Sequence, residues 1–234
     1  MKTIKNEKLI ERNGKISQWT SIAAIVVLGV GMYISFYKPE FYYFSIICLA
    51  LGFILSQIGM LMGGRWGRSP RPDEKIDAGL KGLHSEFSMY HYASPVPHLL
   101  VGPSGVWAIL PYHQGGKIIF EKGRFKLQGG GFMQNYMRIF GQEGLGRPEL
   151  EAENATQTLT KFFAKKLDEA DVPEIKSVLV FTNDAVEIDA EESPIPAVKL
   201  KQLKEFMRQT GNKKNRALST SQIERITDLF DSSE

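Results

Sequence analysis

Two apolar runs near the start of the chain limit what it can fold into more than any other feature. Trp19 to Tyr37 and Phe41 to Met62 are each close to the ~20 residues that cross ~30 Å of hydrocarbon as a helix, with only Tyr37-Lys38-Pro39-Glu40 as an interruption. A signal peptide would have a shorter apolar core, a small-residue cleavage site and no second run behind it. The other way to hide such runs is a buried core hairpin. Trp19, Tyr33, Tyr37, Tyr42, Tyr43 and Trp66 stand near the run ends, where interfacial aromatics belong. The pattern predicts a transmembrane hairpin over 18–63, with helices at about 18–37 and 41–62.

Basic residues orient it. The tail 1–17 carries Lys2, Lys5, Lys8, Arg12 and Lys15 against Glu7 and Glu11; Arg65, Arg68 and Arg71 follow the second run, and the connection has Lys38 alone. The positive-inside rule then keeps both termini cytoplasmic, as in a multi-pass protein of the cell's inner (plasma) membrane with the bilayer as a partner. Within the spans Gln57 is the one strongly polar side chain, which suits a helix–helix hydrogen bond better than a transport path, and Gly59-x-x-x-Gly63 is a candidate packing face. Cys48, the single cysteine, excludes an internal disulfide and a CxxC metal site, and its apolar setting suggests a small buried hydrophobe.

Residues 64–72, rich in Arg, Pro and Gly, read as a linker into an α/β domain over 73–234. Apolar Ile76, Leu80 and Leu83 at helical spacing predict a helix over Asp73–Ser85. Phe87–Tyr92, Leu99–Val101, Val106–Leu110, Lys117–Glu121, Arg124–Leu127, Lys176–Thr182 and Pro196–Leu200 read as strands. Gly102-Pro103-Ser104-Gly105 is a tight turn between the two apolar central strands, and Pro111 with Gly115-Gly116 is expected to break the second of them. Pro148–Asp171 predicts a helix with Glu149, Glu151 and Glu153 in its first turns, favourable to the helix dipole. Lys201–Gln209 is a further helix, and Ser221-x-x-Glu224 a capping box that opens a last one. The Gly-rich 128–147 suggests a short apolar helix between flexible glycines, with contact to the membrane surface or a partner as the alternative, and Asp184–Glu192 an acidic loop.

The central stretch, His98-Leu-Leu-Val-Gly-Pro-Ser-Gly-Val-Trp-Ala-Ile109 followed by Gly116-Lys117-Ile118, resembles the core of the nuclease-related domain (NERD) family. The resemblance covers roughly 72–200 and implies a restriction-endonuclease-like, PD-(D/E)xK fold: a mixed sheet flanked by helices. In that family an Asp before the first central strand and a Glu-x-Lys closing the second bind a hard divalent cation through oxygen and stabilise the phosphate's developing charge. Here the Asp position falls on Pro97, the Glu on Leu110 and the Lys on Tyr112, so the resemblance implies a binding or scaffolding module that has lost its nuclease site and needs no metal or cofactor. A site relocated to Asp77, Glu86 and Glu121 is the enzymatic alternative.

Charge weighs on the partner. From Arg65 onward about 23 basic residues face about 23 acidic ones, so the chain's +3 resides in the tail, at the lipid headgroups. A DNA-binding domain is expected to be basic overall. The local exception is Lys199, Lys201, Lys204, Arg208, Lys213, Lys214 and Arg216, opposed by Glu205: a solvated face, or a surface for nucleic acid or anionic lipid. His84, His91, His98 and His113 have no metal-ligand spacing, His98 suits a structural role, and Ser104 does not sit in a Gly-x-Ser-x-Gly elbow. The partner is an unknown protein or nucleic acid.

Overall fold

A computed structural model of the chain describes residues 1–128, 144–168, 171–211 and 217–231. The chain divides into two compact units, Asn6–Glu74 and the discontinuous pair Met1–Lys5 with Lys75–Glu234. The helix expected within the Gly-rich stretch falls on 129–143, outside the described residues.

The first unit is built on α1 (Glu7–Tyr37) and α2 (Tyr42–Met62), joined by a 3-10 turn at Pro39–Phe41. Both are long and apolar enough to cross a membrane. At 31 residues, α1 is about 46 Å long, and it begins well before the apolar run: the Asn6 side chain accepts from the Leu9 N–H and caps it. The segment 1–17 is therefore not a separate tail. The buried residues of the pair recur every seven positions, Ser17, Ala24 and Gly31 on α1 against Ser45, Gly52 and Gly59 on α2. The Ser17 hydroxyl donates to the Gly59 carbonyl at 3.1 Å and the Ser45 hydroxyl to that of Gly31 at 2.8 Å, which fixes an antiparallel register. A seven-residue repeat of small side chains brings two backbones close along one seam, and Gly59 and Gly63 do lie on it. Cys48 is half-buried against Gly31. Away from the seam the pair exposes large hydrophobics such as Trp19, Ile25, Phe36, Tyr43, Phe53 and Leu61. A π-turn at Gly63–Gly67 follows α2, with Arg65 over the Trp66 ring.

The second unit is a mixed sheet with helices on both faces. Its strands run β1 (Lys2–Lys5), β2 (Ser88–His91), β3 (His98–Gly102), β4 (Gly105–Tyr112), β7 (Ile175–Phe181) and β9 (Ala197–Lys199) in that spatial order. Only β3 runs against the rest. The expected turn joins β3 to β4, with Gly105 at φ +109, a conformation that a Cβ would strain. Pro111 does not end β4: it lies in the ladder opposite Val180. One face packs Tyr90, Leu99, Val101, Val106 and Ala108 under α4 (Pro148–Lys166) and α6 (Thr220–Asp231). The other packs Met89, Leu100, Trp107 and Ile109 under α3 (Pro72–Leu80) and α5 (Leu200–Thr210). Each fully buried Leu or Phe contributes roughly 1.5–3 kcal/mol.

A smaller sheet, β6 (Arg124–Gln128), β5 (Gly116–Glu121) and β8 (Val186–Asp189), takes the expected strands Lys117–Glu121 and Arg124–Leu127 out of the main sheet. Lys122 and Gly123, both at positive φ, make the hairpin turn between β5 and β6. Strand β8 lies inside the segment read as an acidic loop. The last helix is capped not by Ser221 but by Ser219, whose hydroxyl accepts from the Gln222 N–H while the Gln222 carboxamide accepts from the Ser219 N–H.

The tail contributes the outermost strand. Lys2–Lys5 pairs in parallel with Ser88–His91, and the Lys2 side chain forms an ion pair with Asp231 of α6. Deleting Lys2–Lys5 uncovers the edge of β2, and amide hydrogen exchange across Ser88–His91 is expected to quicken by about tenfold or more; unchanged exchange would remove β1 from the sheet. Within the helical unit, a Cβ on Gly59 would sit 2.5 Å from the Ser21 hydroxyl, whereas one on Gly29 meets nothing within 4 Å. Gly59→Leu is expected to cost about 1–3 kcal/mol and Gly29→Leu nothing measurable. Thermal unfolding of the full chain in detergent separates the two, and equal midpoints would contradict the seam.

Candidate functional site

The two ends of β3 and β4 decide what chemistry this unit supports. The β3–β4 register, Leu99 opposite Ala108, sets Pro97 opposite Leu110 when continued by two residues, with Tyr112 two further along β4. The three positions singled out by the nuclease resemblance thus gather at one edge of the sheet. None offers a metal ligand or a cation. The Pro97 carbonyl accepts the Tyr92 N–H at 2.8 Å and closes the β2–β3 loop, where Tyr92 is held at φ +57. Leu110 is half-buried between two apolar clusters. Tyr112 is buried, its ring against Phe181 and its hydroxyl donating to the Glu151 carboxylate at 2.6 Å. Burial first, and the Glu151 carboxylate second, push the Tyr112 phenol far above its ordinary range. It stays a protonated donor at any working pH.

Glu151 is the residue at this edge that sequence reasoning missed. Its place in the first turn of α4 was read as a dipole effect, and only the fold carries it to Tyr112. The relocated-site candidates do not converge there. Asp77 projects from α3, on the opposite face of the sheet from Leu110 and Tyr112. Glu86 precedes β2 beside His84, and Glu121 ends β5 in an ion pair with Lys126. Among the described residues no group of three or more His, Cys, Asp or Glu is arranged to hold a metal ion.

Asp77 instead joins a largely buried polar chain. One carboxylate oxygen lies 3.0 Å from Nε2 of His91, the other 2.7 Å from Nζ of Lys5. His91 is fully buried, and its Nδ1 lies 2.8 Å from Nδ1 of His98, itself 3% exposed with its ring against Tyr92. The protons follow from the acceptors. A carboxylate only accepts, so His91 Nε2 carries hydrogen; one proton then lies between the two Nδ1 atoms. Two imidazolium rings would set N–H against N–H, so the pair holds at most one extra proton. Burial pushes the Asp77 carboxyl up, but the hydrogen bonds and charges of His91 and Lys5 outweigh it and hold the group below the usual carboxylate range. His98 therefore has the structural role read from the sequence, and the chain Lys5–Asp77–His91–His98 ties α3 to β1, β2 and β3.

The basic cluster is only partly described, since Lys213, Lys214 and Arg216 fall outside. Of the rest, Lys201 pairs with Asp184 at 2.8 Å, Lys204 donates to the Lys81 carbonyl and Arg208 lies 3.8 Å from Glu205. Lys201, Lys204 and Arg208 line the face of α5 away from buried Leu203 and Met207, as a solvated helix face does.

Because the folded-state pKa of Asp77 is depressed, its contribution to stability is present above the unfolded value near 3.9 and lost as pH falls through the folded one. Asp77→Asn is expected to lower stability by about 2 kcal/mol at pH 7, less than for a fully buried pair since the side chain is 26% exposed. The gap to the parent chain should narrow as pH falls below the unfolded value and close only below the folded one. A gap that stays constant between pH 7 and pH 3 would show that the carboxylate charge contributes nothing.

No protein-family model, no curated protein and no solved structure matches this chain.

Proposed function

We propose that this chain is a membrane-anchored, catalytically inactive NERD-like domain that serves as a binding or scaffolding module at the cytoplasmic face. The observation that carries the reading is the sheet edge at Pro97, Leu110 and Tyr112. A nuclease of the PD-(D/E)xK type needs carboxylates and a lysine to converge there. This edge holds a proline whose carbonyl closes a loop, a packed leucine, and a tyrosine whose hydroxyl is committed to Glu151. The Gly-Pro-Ser-Gly turn, the mixed sheet flanked by helices and the helix opening at Pro148 are the features in favour of the family frame.

The pairing of β1 with β2 supports the membrane part independently of charge. A strand hydrogen-bonded into a sheet cannot lie across a bilayer from it. The chain leaves the α/β unit after Lys5 and rejoins it at Lys75, so helices inserted between must cross an even number of times. Two crossings by α1 and α2 then keep both termini on one side, which the basic residues flanking the spans assign to the cytoplasm.

The test is calorimetry of the detergent-solubilised full chain with Mg²⁺ and Mn²⁺, followed by cleavage assays on single- and double-stranded DNA. Neither binding nor cleavage is expected. Metal-dependent cleavage lost in Asp77→Ala or Glu121→Ala would overturn the proposal and establish a relocated nuclease site.

A further inference from the structure

Two concavities in the helical unit share one stripe of α1. The first, a cleft of about 630 Å³, lies at the unit's charged end; Glu7, Glu11, Lys15, Trp66, Arg68 and Arg71 are among its lining residues. The second, a groove of about 460 Å³, is lined by Ile25, Leu28, Gly29, Met32 and Phe36 with Leu49 of α2. On α1 the cleft is lined by positions 7, 10, 11, 14, 15, 17, 18 and 21 and the groove by 25, 28, 29, 32, 35 and 36. At 100° per residue these positions fall on one side of the helix, mainly polar as far as Ser21 and, apart from Ser35, without polar side chains from Ile25 onward. Gly14 and Gly29 are 15 residues apart, about 22 Å along the axis, too long for a small anion and well matched to a phosphate with an acyl chain.

Charge identifies the polar end. Lys15 is paired with Glu11, and Arg71 with Asp73 and Glu74. Arg68 lines the cleft, is exposed, and its guanidinium has no ion pair among the described residues. A guanidinium at the rim of an interfacial cleft suits a phosphodiester, which it can meet with two parallel hydrogen bonds.

We propose that the cleft and groove together hold one glycerophospholipid, its phosphate on Arg68 and one acyl chain along Ile25, Leu28, Met32 and Phe36. The site rests on the membrane reading given above. Two substitutions probe its two ends without touching the helix seam. Arg68→Gln removes the phosphate anchor, and Gly29→Leu fills the groove at a position where added atoms meet open space.

The experiment is native mass spectrometry of the full chain released from nanodiscs of phosphatidylethanolamine and phosphatidylglycerol, with inorganic phosphate as competitor. One phospholipid should remain bound to the parent chain, and each variant should retain about tenfold less, the loss of one charge-assisted contact or one apolar groove. Equal retention by parent and variants would overturn the proposal. Displacement by millimolar inorganic phosphate would overturn the acyl-chain part and leave a simple anion site. Co-flotation of parent and variants with vesicles is measured in parallel. Chains that all float but retain lipid equally refute the lipid site alone, whereas a parent chain that does not float refutes the membrane reading beneath it.

Discussion

The parallel pairing of Lys2–Lys5 with Ser88–His91 is the interaction on which the rest of the molecule depends. It closes one edge of the main sheet, brings Lys5 to Asp77, and makes the α/β unit discontinuous in sequence. Everything between Asn6 and Glu74 becomes an insertion that must return to its starting point. Antiparallel packing of α1 on α2 is the simplest solution, and the seven-residue stripe of Ser, Ala and Gly supplies the close approach that it needs. Covalent connectivity and helix packing therefore impose the same topology on the segment.

The polar chain from Lys5 to His98 illustrates how the unit holds its buried polar groups. A carboxylate drawn largely out of water is costly unless its charge and lone pairs are answered. Asp77 is answered from two strands, by an ammonium and an imidazole, and the imidazole is answered in turn by a second one. These groups answer one another on the face of the sheet opposite Leu110 and Tyr112. The same holds at the other edge. A tyrosine that donates at 2.6 Å to a carboxylate stabilises the start of α4, but it lacks the positive charge that a lysine would bring to a phosphoryl-transfer site.

Much of the sheet was legible because its central strands are apolar on both faces and bounded by turn chemistry that allows few conformations. Leu99–Leu110 was readable for that reason, as was the Lys122-Gly123 hairpin. Strand β1 was not. Four residues with two lysines carry no strand periodicity, and their pairing partner lies more than eighty positions away, so local pattern favoured a lipid-facing tail. Strand β8 was hidden in the same manner: Val186 and Ile188 alternate with Glu187 and Asp189, a half-buried edge whose polar residues made the segment read as a loop. Pro111 misled in the opposite sense. Proline lacks a donor, yet in a parallel ladder its outward-facing nitrogen costs nothing when no partner strand asks for it.

The candidate site was legible by omission more than by content. Pro97, Leu110 and Tyr112 could be named from a motif, because the turn at Gly102–Gly105 fixes the β3–β4 register and hence which residues share the edge. Glu151 could not be named, since nothing local ties the first turn of α4 to the end of β4. Asp77 could be singled out as a carboxylate, but its partners come from β1 and β2 and only the fold assembles them. The same logic separates the two roles of positive charge near the N-terminus. Lys2 and Lys5 are occupied within the α/β unit by Asp231 and Asp77. Arg68, beyond α2, keeps its guanidinium at the rim of a cleft. A count of basic residues treats these as one electrostatic feature, yet the first two stabilise a sheet edge and the last lines a cleft in the helical unit.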